Sequence, residues 1–260
     1  MPLTRRDFLK ASSGVFILPL SFPQDLLGDS VKIPVLMYHD ISNEINDEYT
    51  VSPSFFSAHM EWLYSNGYKT LFFTEVEGSF RDADQPAVII TFDDGYASFG
   101  SYAFPLLKEY GFKATVNAIG KNIGGYIKLG VNRPLLSWDE YRSFMKSGLV
   151  ELGCHTYNLH IYKSGLGLSG FSPKEVEDDF RLFQDIAHKE TGHRARILSW
   201  PYGIYDEKTI KVAQDTGFMY ALTSDEGYLH RGSHPLKIPR WHMNNSHDLI
   251  SFQQYVKGER

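Results

Sequence analysis

The stretch PAVIITFDDG, residues 86–95, decides the fold class because it reads as a buried strand that ends in two aspartates. Its centre, Val88-Ile89-Ile90, is entirely apolar, which is typical of a strand covered on both faces. Reactive groups in parallel α/β folds gather at the carboxyl ends of the strands. The stretch therefore predicts a parallel sheet, with Asp93 and Asp94 at the edge where such a sheet carries its site.

Strand and helix patterns alternate along the rest of the chain. Further strands are predicted at residues 31–39, 114–119, 150–155, 197–200, 219–223 and 236–243. Helices between them begin with recognisable signals: Ser52 before Pro53, the capping boxes Ser137/Glu140 and Ser172/Glu175, and Ser246 for the last one. About seven strand–helix units favour a distorted or incomplete (β/α) barrel over an open doubly wound sheet. No glycine-rich nucleotide loop follows any of the strands.

Composition narrows the class of protein. The chain has 260 residues and a net charge of −5, which argues against nucleic acid and against anionic membrane surfaces as partners. Cys154 is its single cysteine, so the sequence predicts no intrachain disulfide and no cysteine-based metal cluster. One catalytic domain is predicted over residues 30–260, and we expect it to be a monomer.

The first 29 residues are expected to be a leader outside that domain. Arg5-Arg6, with Phe8-Leu9-Lys10 and a following uncharged stretch, resembles a twin-arginine export signal. An ordinary basic N-terminus is the alternative. The apolar stretch is too short to span a bilayer, so we expect export to the periplasm or cell surface without stable membrane insertion.

Two histidines follow another predicted strand. His155 and His160 lie within one short loop, so both imidazoles can reach the same metal ion, and an aspartate would complete a His₂Asp set. Three protein ligands with an open position for water describe a catalytic metal site, whereas structural zinc sites have four. Of the adjacent pair Asp93 and Asp94, one carboxylate could bind the cation while the other holds the water.

Three motifs together resemble a known family. They are TFDDGY at 91–96, HTYNLH at 155–160 and WPYG at 200–203, in an order and spacing similar to the NodB-type polysaccharide deacetylases, carbohydrate esterase family 4. The resemblance covers roughly residues 31–243 and is strongest to the branch that de-N-acetylates poly-β-1,6-N-acetylglucosamine in biofilms. It implies a distorted (β/α)₇ barrel, the NodB homology domain.

The resemblance also implies the roles of individual residues. It makes Asp93 the general base, and Asp94, His155 and His160 the ligands of one divalent metal ion. Zinc is the usual metal of the family, with cobalt, nickel or iron as alternatives. An N-acetylated glycan is the implied partner.

Two departures from the family pattern lead to further hypotheses. Ser199-Trp200 stands where most members have an arginine that orients the base, and we hypothesise that Arg240 takes over this task. The biofilm branch draws its general acid from the first strand, which points to His39, with His242 as the rival. The residues expected to face the substrate are Trp200, Pro201, Tyr202, Arg240, Trp241 and His242.

The predicted function is metal-dependent hydrolysis of N-acetyl groups from an N-acetylglucosamine polysaccharide, with release of acetate. Poly-N-acetylglucosamine is the favoured substrate; peptidoglycan, chitin oligomers and acetyl-xylan remain alternatives. A sugar-binding homologue without activity is the competing class, and the presence of the base and all three ligands argues against it.

Overall fold

The structure, a computed structural model, describes residues 31–80 and 85–259. The predicted export leader, residues 1–29, lies outside the described residues. No helix within the described ranges is long and apolar enough to cross a membrane.

Strands and helices alternate through the described chain. The strands are β1 Ile33–Tyr38, β2 Asp40–Ile41, β3 Thr50–Val51, β4 Lys69–Thr70, β5 Ala87–Asp94, β6 Ala114–Ala118, β7 Tyr126–Leu129, β8 Val131–Pro134, β9 Val150–Cys154, β10 Ile197–Ser199, β11 Tyr220–Leu222, β12 Tyr228–Leu229 and β13 Trp241–His242. The α-helices are α1 Pro53–Ser65, α2 Val76–Ser79, α3 Phe104–Tyr110, α4 Trp138–Lys146, α5 Pro173–Thr191, α6 Glu207–Asp215 and α7 Leu249–Lys257. A π-helical turn, Phe99–Ala103, precedes α3.

Within the described residues, seven parallel elements surround the barrel interior, besides the short β4, which pairs in parallel with β5. Six of them pair in the order β11, β10, β9, β6, β5, β1. The segment 238–242 contacts both edges of this sheet, because β13 pairs in parallel with β1 and Ile238 forms a parallel bridge with Leu222 of β11. The predicted distorted (β/α)₇ barrel is therefore confirmed, with an irregular seventh member.

Side chains alternate between the two faces of the central strands. On β5, Val88, Ile90 and Phe92 join the large core between sheet and helices, whereas Ile89 joins a smaller cluster with residues of β1, β10 and β11. Since strand side chains alternate, Thr91 and Asp93 face the same side as Ile89, toward the barrel interior. Asp93 is thus directed inward by its register alone.

Most predicted helix starts are confirmed by their caps. Ser52, Ser137 and Ser172 each accept a hydrogen bond from the backbone N–H three residues on, which satisfies a donor that the helix leaves unpaired. The last helix is an exception. It begins at Leu249 rather than after Ser246, because Asp248 accepts from the Ser251 N–H while the Ser246 hydroxyl is bound to Asn244.

The predicted strand 236–243 is correct only in part. Trp241–His242 is the strand, and Ile238 contributes an isolated bridge. Between them Pro239 lacks an N–H to donate to a ladder, and the Arg240 N–H donates to the Asp225 carbonyl instead of to a neighbouring strand. This irregular backbone is what turns the Arg240 side chain into the barrel.

Candidate metal centre and catalytic cavity

Three metal-ligating side chains meet at the carboxyl ends of β5 and β9. Among residues 31–80 and 85–259, Asp94, His155 and His160 form the one group of this kind, with ligand atoms within 4.8 Å of one another. Asp94 Oδ1 lies 3.6 Å from His155 Nε2 and 3.7 Å from His160 Nε2. Carboxylate and imidazole are ligands that zinc and other divalent transition metals accept.

The donor atoms of this group fit a metal ion. Asp94 Oδ1 is buried and has no hydrogen-bond partner in the described structure, which is costly for a carboxylate oxygen unless a cation neutralises it. His155 Nδ1 lies 2.8 Å from the Ser199 carbonyl, and since a carbonyl only accepts, Nδ1 carries the proton and Nε2 presents a lone pair. Burial lowers the pKa of His160 to about 4, with His155 acting in the same direction, so this ring is neutral and able to bind metal.

Asp94 reaches the site through an unusual backbone conformation. Its neighbour Asp93 faces the barrel interior, so regular alternation would direct Asp94 away from it. Asp94 has a φ of 69°, in the left-handed region that aspartate tolerates better than most residues. This turn brings the two adjacent carboxylates to the same cavity.

The loop that carries both histidines is held by hydrogen bonds to Asp179, a residue of α5. Asp179 accepts hydrogen bonds from the backbone N–H groups of Tyr157 and Asn158, each at 2.7 Å. Thr156 adopts a φ of 71° at the start of this loop. Sequence reasoning missed Asp179; the available signal was an acidic residue on the otherwise apolar face of α5, next to Phe180.

Asp93 is held by three side chains at the top of the barrel interior. Arg240 binds it with a bidentate fork, Nη1 to Oδ1 at 2.9 Å and Nη2 to Oδ2 at 2.8 Å. Ser199 donates its hydroxyl to Oδ2 at 2.8 Å, and Asn117 donates its amide to Oδ1 at 2.8 Å. The contact hypothesised between Arg240 and Asp93 is therefore present, whereas Ser199 and Asn117 were missed as partners.

Small residues make room for this arrangement. Ser199 is a small residue at the end of β10 and lies beside the guanidinium, whose Nη2 donates to the Ser199 hydroxyl at 3.0 Å. Gly153 on β9 has the same function for Asn117. A Cβ at position 153 would stand 2.0 Å from Asn117 Oδ1, so only glycine lets that amide reach Asp93.

The charge state of Asp93 follows from these contacts. Burial alone raises the pKa of the Asp93 carboxyl. The Arg240 charge opposes this most strongly, followed by His155, the Arg240 hydrogen bonds and His39. Together they hold the pKa of Asp93 well below the usual range. Asp93 is consequently ionised at all ordinary pH values. Since the folded-state pKa is depressed, this interaction stabilises the fold above the ordinary aspartate pKa and is lost as the pH falls toward the lowered value.

Two further histidines face the same cavity. The rings of His39 and His242 are 5.2 Å apart, and Tyr49 contacts both of them. His39 Nδ1 and His242 Nε2 are buried without a hydrogen-bond partner among the described residues. Burial lowers the pKa of His39, and burial followed by the His39 and Arg240 charges lowers that of His242 to about 4.

The residues predicted to face the substrate divide into two groups. Tyr202 is 41% exposed, its ring lies against His160, and both it and His242 line the cavity. Trp200, Arg240 and Trp241 are 0%, 1% and 5% exposed, and of these three only Trp200 borders the cavity. Trp200 donates its indole N–H to the Leu236 carbonyl, and Trp241 stacks on Tyr255. Pro201 is also buried and supports Tyr202 from the preceding position.

One cavity of about 580 Å³ is bordered by Asp93, the three candidate metal ligands, the two further histidines and Tyr202. Its floor contains the two aspartates with His155 and His160, and its walls include apolar and aromatic side chains from separate loops: Tyr49, Ile127, Leu129, Ile161 and Tyr202. A mostly apolar wall with a few convergent polar groups is typical of a small-molecule or sugar site. A larger cleft of about 890 Å³ lies beside the amino ends of β9–β11, at the opposite end of the barrel from the candidate metal site.

Comparison with known proteins places the chain among deacetylases. Residues 80–221 match the family model described as "Polysaccharide deacetylase". YxkH of Bacillus subtilis, classed by name with the polysaccharide deacetylases, is 32% identical over 87% of this chain and 77% of its own length. The poly-beta-1,6-N-acetyl-D-glucosamine N-deacetylase of Staphylococcus epidermidis is 29% identical over 83% of this chain and 74% of that protein.

Two further similarities extend this result. The Escherichia coli protein of the same name is 26% identical over 85% of this chain, which spans only 38% of that longer protein. A solved structure, the Streptococcus pyogenes deacetylase PplD in complex with acetate, superposes with a TM-score of 0.74 at 25% identity, covering 87% of this chain and 98% of that one.

Proposed function

Because this chain belongs to the polysaccharide deacetylase family, we propose that it hydrolyses N-acetyl groups of an N-acetylglucosamine polysaccharide and releases acetate. The favoured polymer is poly-β-1,6-N-acetylglucosamine, since two of the relatives named above carry that substrate in their names. The observation that carries the proposal is the ionised, arginine-bound Asp93 beside the cluster of Asp94, His155 and His160 in one cavity.

We propose that Asp94, His155 and His160 hold one divalent metal ion, with zinc favoured and cobalt, nickel or iron as alternatives. When bound, such an ion supplies Lewis-acid polarisation of the acetyl carbonyl and lowers the pKa of a water molecule. Three protein ligands leave a position open, as catalytic rather than structural sites do.

The protein's own groups then divide the proton transfers. Asp93 takes the proton from the attacking water, and its fork with Arg240 keeps one carboxylate geometry throughout. The backbone N–H of Tyr202 is our candidate for stabilising the oxyanion of the tetrahedral state. Burial lowers the pKa of His39, but the Asp93 and Asp94 charges raise it and so favour its protonated form. In that form His39 donates a proton to the leaving nitrogen, so that the sugar departs as a neutral amine rather than as an amide anion.

The proposed function is tested by measuring acetate release with metal analysis of the same preparation. The panel contains β-1,6- and β-1,4-linked N-acetylglucosamine oligomers, peptidoglycan and acetyl-xylan. We expect the β-1,6-linked oligomers to be hydrolysed fastest by the metal-loaded protein. Faster hydrolysis of another polymer would reassign the substrate, and binding without acetate release from any polymer would favour the inactive sugar-binding class.

Replacing His39 tests the choice of general acid. We expect His39→Ala to lower kcat on an N-acetylated oligomer by about 100-fold, the order of a general-acid contribution, and His242→Ala to lower it much less. Hydrolysis of an activated acetate ester should change little in either variant, because its leaving group departs without a proton. The reverse ranking of the two variants on the oligomer would assign the acid to His242.

Arg240→Ala tests how Asp93 is oriented. The variant leaves a buried carboxylate without its cation, so we expect about 3–5 kcal/mol lower stability in chemical unfolding. Misplacement of the base should lower kcat by about 10- to 100-fold. Arg240→Lys is the matched variant, since it keeps the charge without the bidentate fork. Its stability and its kcat should lie between those of the wild type and of Arg240→Ala. Unchanged turnover in Arg240→Ala would exclude the assigned role.

We further propose that residues 30–260 form the catalytic domain and that residues 1–29 direct export by the twin-arginine route. Replacement of both Arg5 and Arg6 by lysine should then retain the protein in the cytoplasm, measured by fractionation of the producing cells. Normal export of that double variant would exclude this route.

A further inference from the structure

A β-hairpin whose one buried side chain is charged forms part of the cavity wall. Strands β7 and β8 pair antiparallel around Gly130, and Ile127 and Leu129 of β7 line the cavity. The sequence analysis did not predict this hairpin, because each of its strands has only four residues and gives too short a pattern. An isolated two-stranded hairpin is only marginally stable in water, so contacts with the rest of the protein must hold it in place.

Arg133 is the single buried residue of the two hairpin strands. It is 3% exposed, whereas every other residue of β7 and β8 is exposed or half-buried. Burying a cation is costly unless it is paired. The hairpin is therefore attached through the partners of Arg133, together with the Ala97 N–H, which donates to the Pro134 carbonyl at the end of β8.

Those partners all belong to segments that carry cavity residues. Nη2 of Arg133 binds the Asp47 carboxylate, and Nη1 lies 3.5 Å from Asp40 Oδ2 and 3.4 Å from Thr50 Oγ1. The guanidinium also lies over the ring of Tyr96, 5.8 Å from its centroid. Asp40 follows His39 directly, and Tyr96 comes two residues after Asp94.

The two carboxylates that Arg133 binds, Asp47 and Asp40, are held by further hydrogen bonds. The position of Arg133 therefore constrains the segment that carries them. Asp47 also accepts from the Tyr49 N–H at 3.1 Å and from the Thr50 hydroxyl at 2.7 Å. Asp40 accepts from the Ser98 hydroxyl at 2.6 Å. Tyr49, placed in this way, packs against the His39 ring with centroids 5.2 Å apart.

We propose that Arg133 is a positioning residue that joins the β7–β8 hairpin to the Asp40–Thr50 segment and so fixes the wall of the cavity that receives the sugar chain. Arg133 on β8 is paired directly with Ile127 on β7, so its side chain lies on the same face of the hairpin as the cavity-lining residues of β7. His155, the loop 155–160 and Asp93 are held by Ser199, Asp179, Asn117 and Arg240 instead. No hydrogen bond joins any of these four residues to Arg133. The role in substrate binding rests on the proposed function; the mechanical role does not.

The mechanical role is tested first, without substrate or metal. In Arg133→Ala we expect faster hydrogen exchange, measured by mass spectrometry, in peptides covering residues 44–50 and 126–134, and unchanged exchange in the 155–160 loop. Arg142→Ala is the control, because Arg142 also contacts two carboxylates but is 41% exposed and lies outside this cavity. Unchanged exchange in both peptides of Arg133→Ala would overturn the proposal.

Kinetics test the role in substrate binding. We expect Arg133→Ala to lower kcat/KM on an N-acetylglucosamine oligomer by about 10-fold, mainly through KM, with hydrolysis of 4-nitrophenyl acetate within about two-fold of wild type. Arg133→Lys should recover part of the loss, and the effects of Arg133→Ala and Asp47→Ala should be non-additive. Equal losses on oligomer and ester would show a general structural defect and overturn the positioning role. Absence of acetate release by the wild type would instead refute the proposed function and leave the exchange result standing.

Discussion

Asp93→Asn is expected to lower kcat on an N-acetylated oligomer by about 1,000-fold while the protein retains its metal, because removal of a general base typically costs about 10²- to 10⁴-fold. Asparagine has the shape of aspartate but cannot accept the proton of the attacking water. The three proposed ligand side chains are untouched by this change, since the hydrogen bonds of Asp93 are with Arg240, Ser199 and Asn117. Metal content by mass spectrometry and kcat together separate the base from the ligands.

The same substitution has a cost in stability that must be measured separately. Asparagine leaves the guanidinium of Arg240, 1% exposed, without a compensating charge, and breaking a buried pair in this way costs about 3–5 kcal/mol. Asp185→Asn is the matched control, because Asp185 pairs with Arg194 at the surface, where such pairs contribute little. An Asp93→Asn protein with more than about one-tenth of wild-type kcat would remove Asp93 from the role of base.

The fold was predictable from the sequence where local chemistry agrees with the tertiary structure. The serines at positions 52, 137 and 172 predict helix starts because each side-chain oxygen accepts a hydrogen bond from a free backbone N–H of the first turn. This local contact does not depend on what the helix packs against. The apolar centre of β5 likewise predicts a strand covered on both faces. The β7–β8 hairpin was missed because its one buried residue is Arg133, whose partners are distant in sequence.

The candidate site was predictable as a set of residue types, but its geometry was not. Asp94 shares the cavity with Asp93 only because its φ is positive, which the motif does not reveal. Asn117 was overlooked because a polar residue within a strand has no signature of its own, and its reach to Asp93 depends on the absence of a side chain at Gly153. The burial of Trp200 and Trp241 could not be read from aromatic residue type, which suits the core as well as a sugar.

His155→Ala is expected to remove both metal and activity, in contrast to Asp93→Asn. Loss of a partner that merely orients a ligand costs about 10- to 100-fold in metal affinity, so loss of a ligand should cost at least the upper end of that range. The protein should therefore be purified with little or no metal, and its kcat should fall at least as far as that of Asp93→Asn. Metal per chain, thermal unfolding and acetate release are measured on one preparation.

The structure also predicts how far His155→Ala disturbs the fold. The imidazole Nδ1–H donates to the Ser199 carbonyl at 2.8 Å, and loss of this bond leaves the carbonyl unsatisfied at a cost of about 1–3 kcal/mol. His188→Ala, at an exposed position on α5, is the control and should keep both metal and activity. Since Ser199 also contacts Asp93, excess metal should restore little activity even where it restores binding. Full metal retention by His155→Ala would contradict the ligand assignment, because Asp94 and His160 alone would then hold the ion.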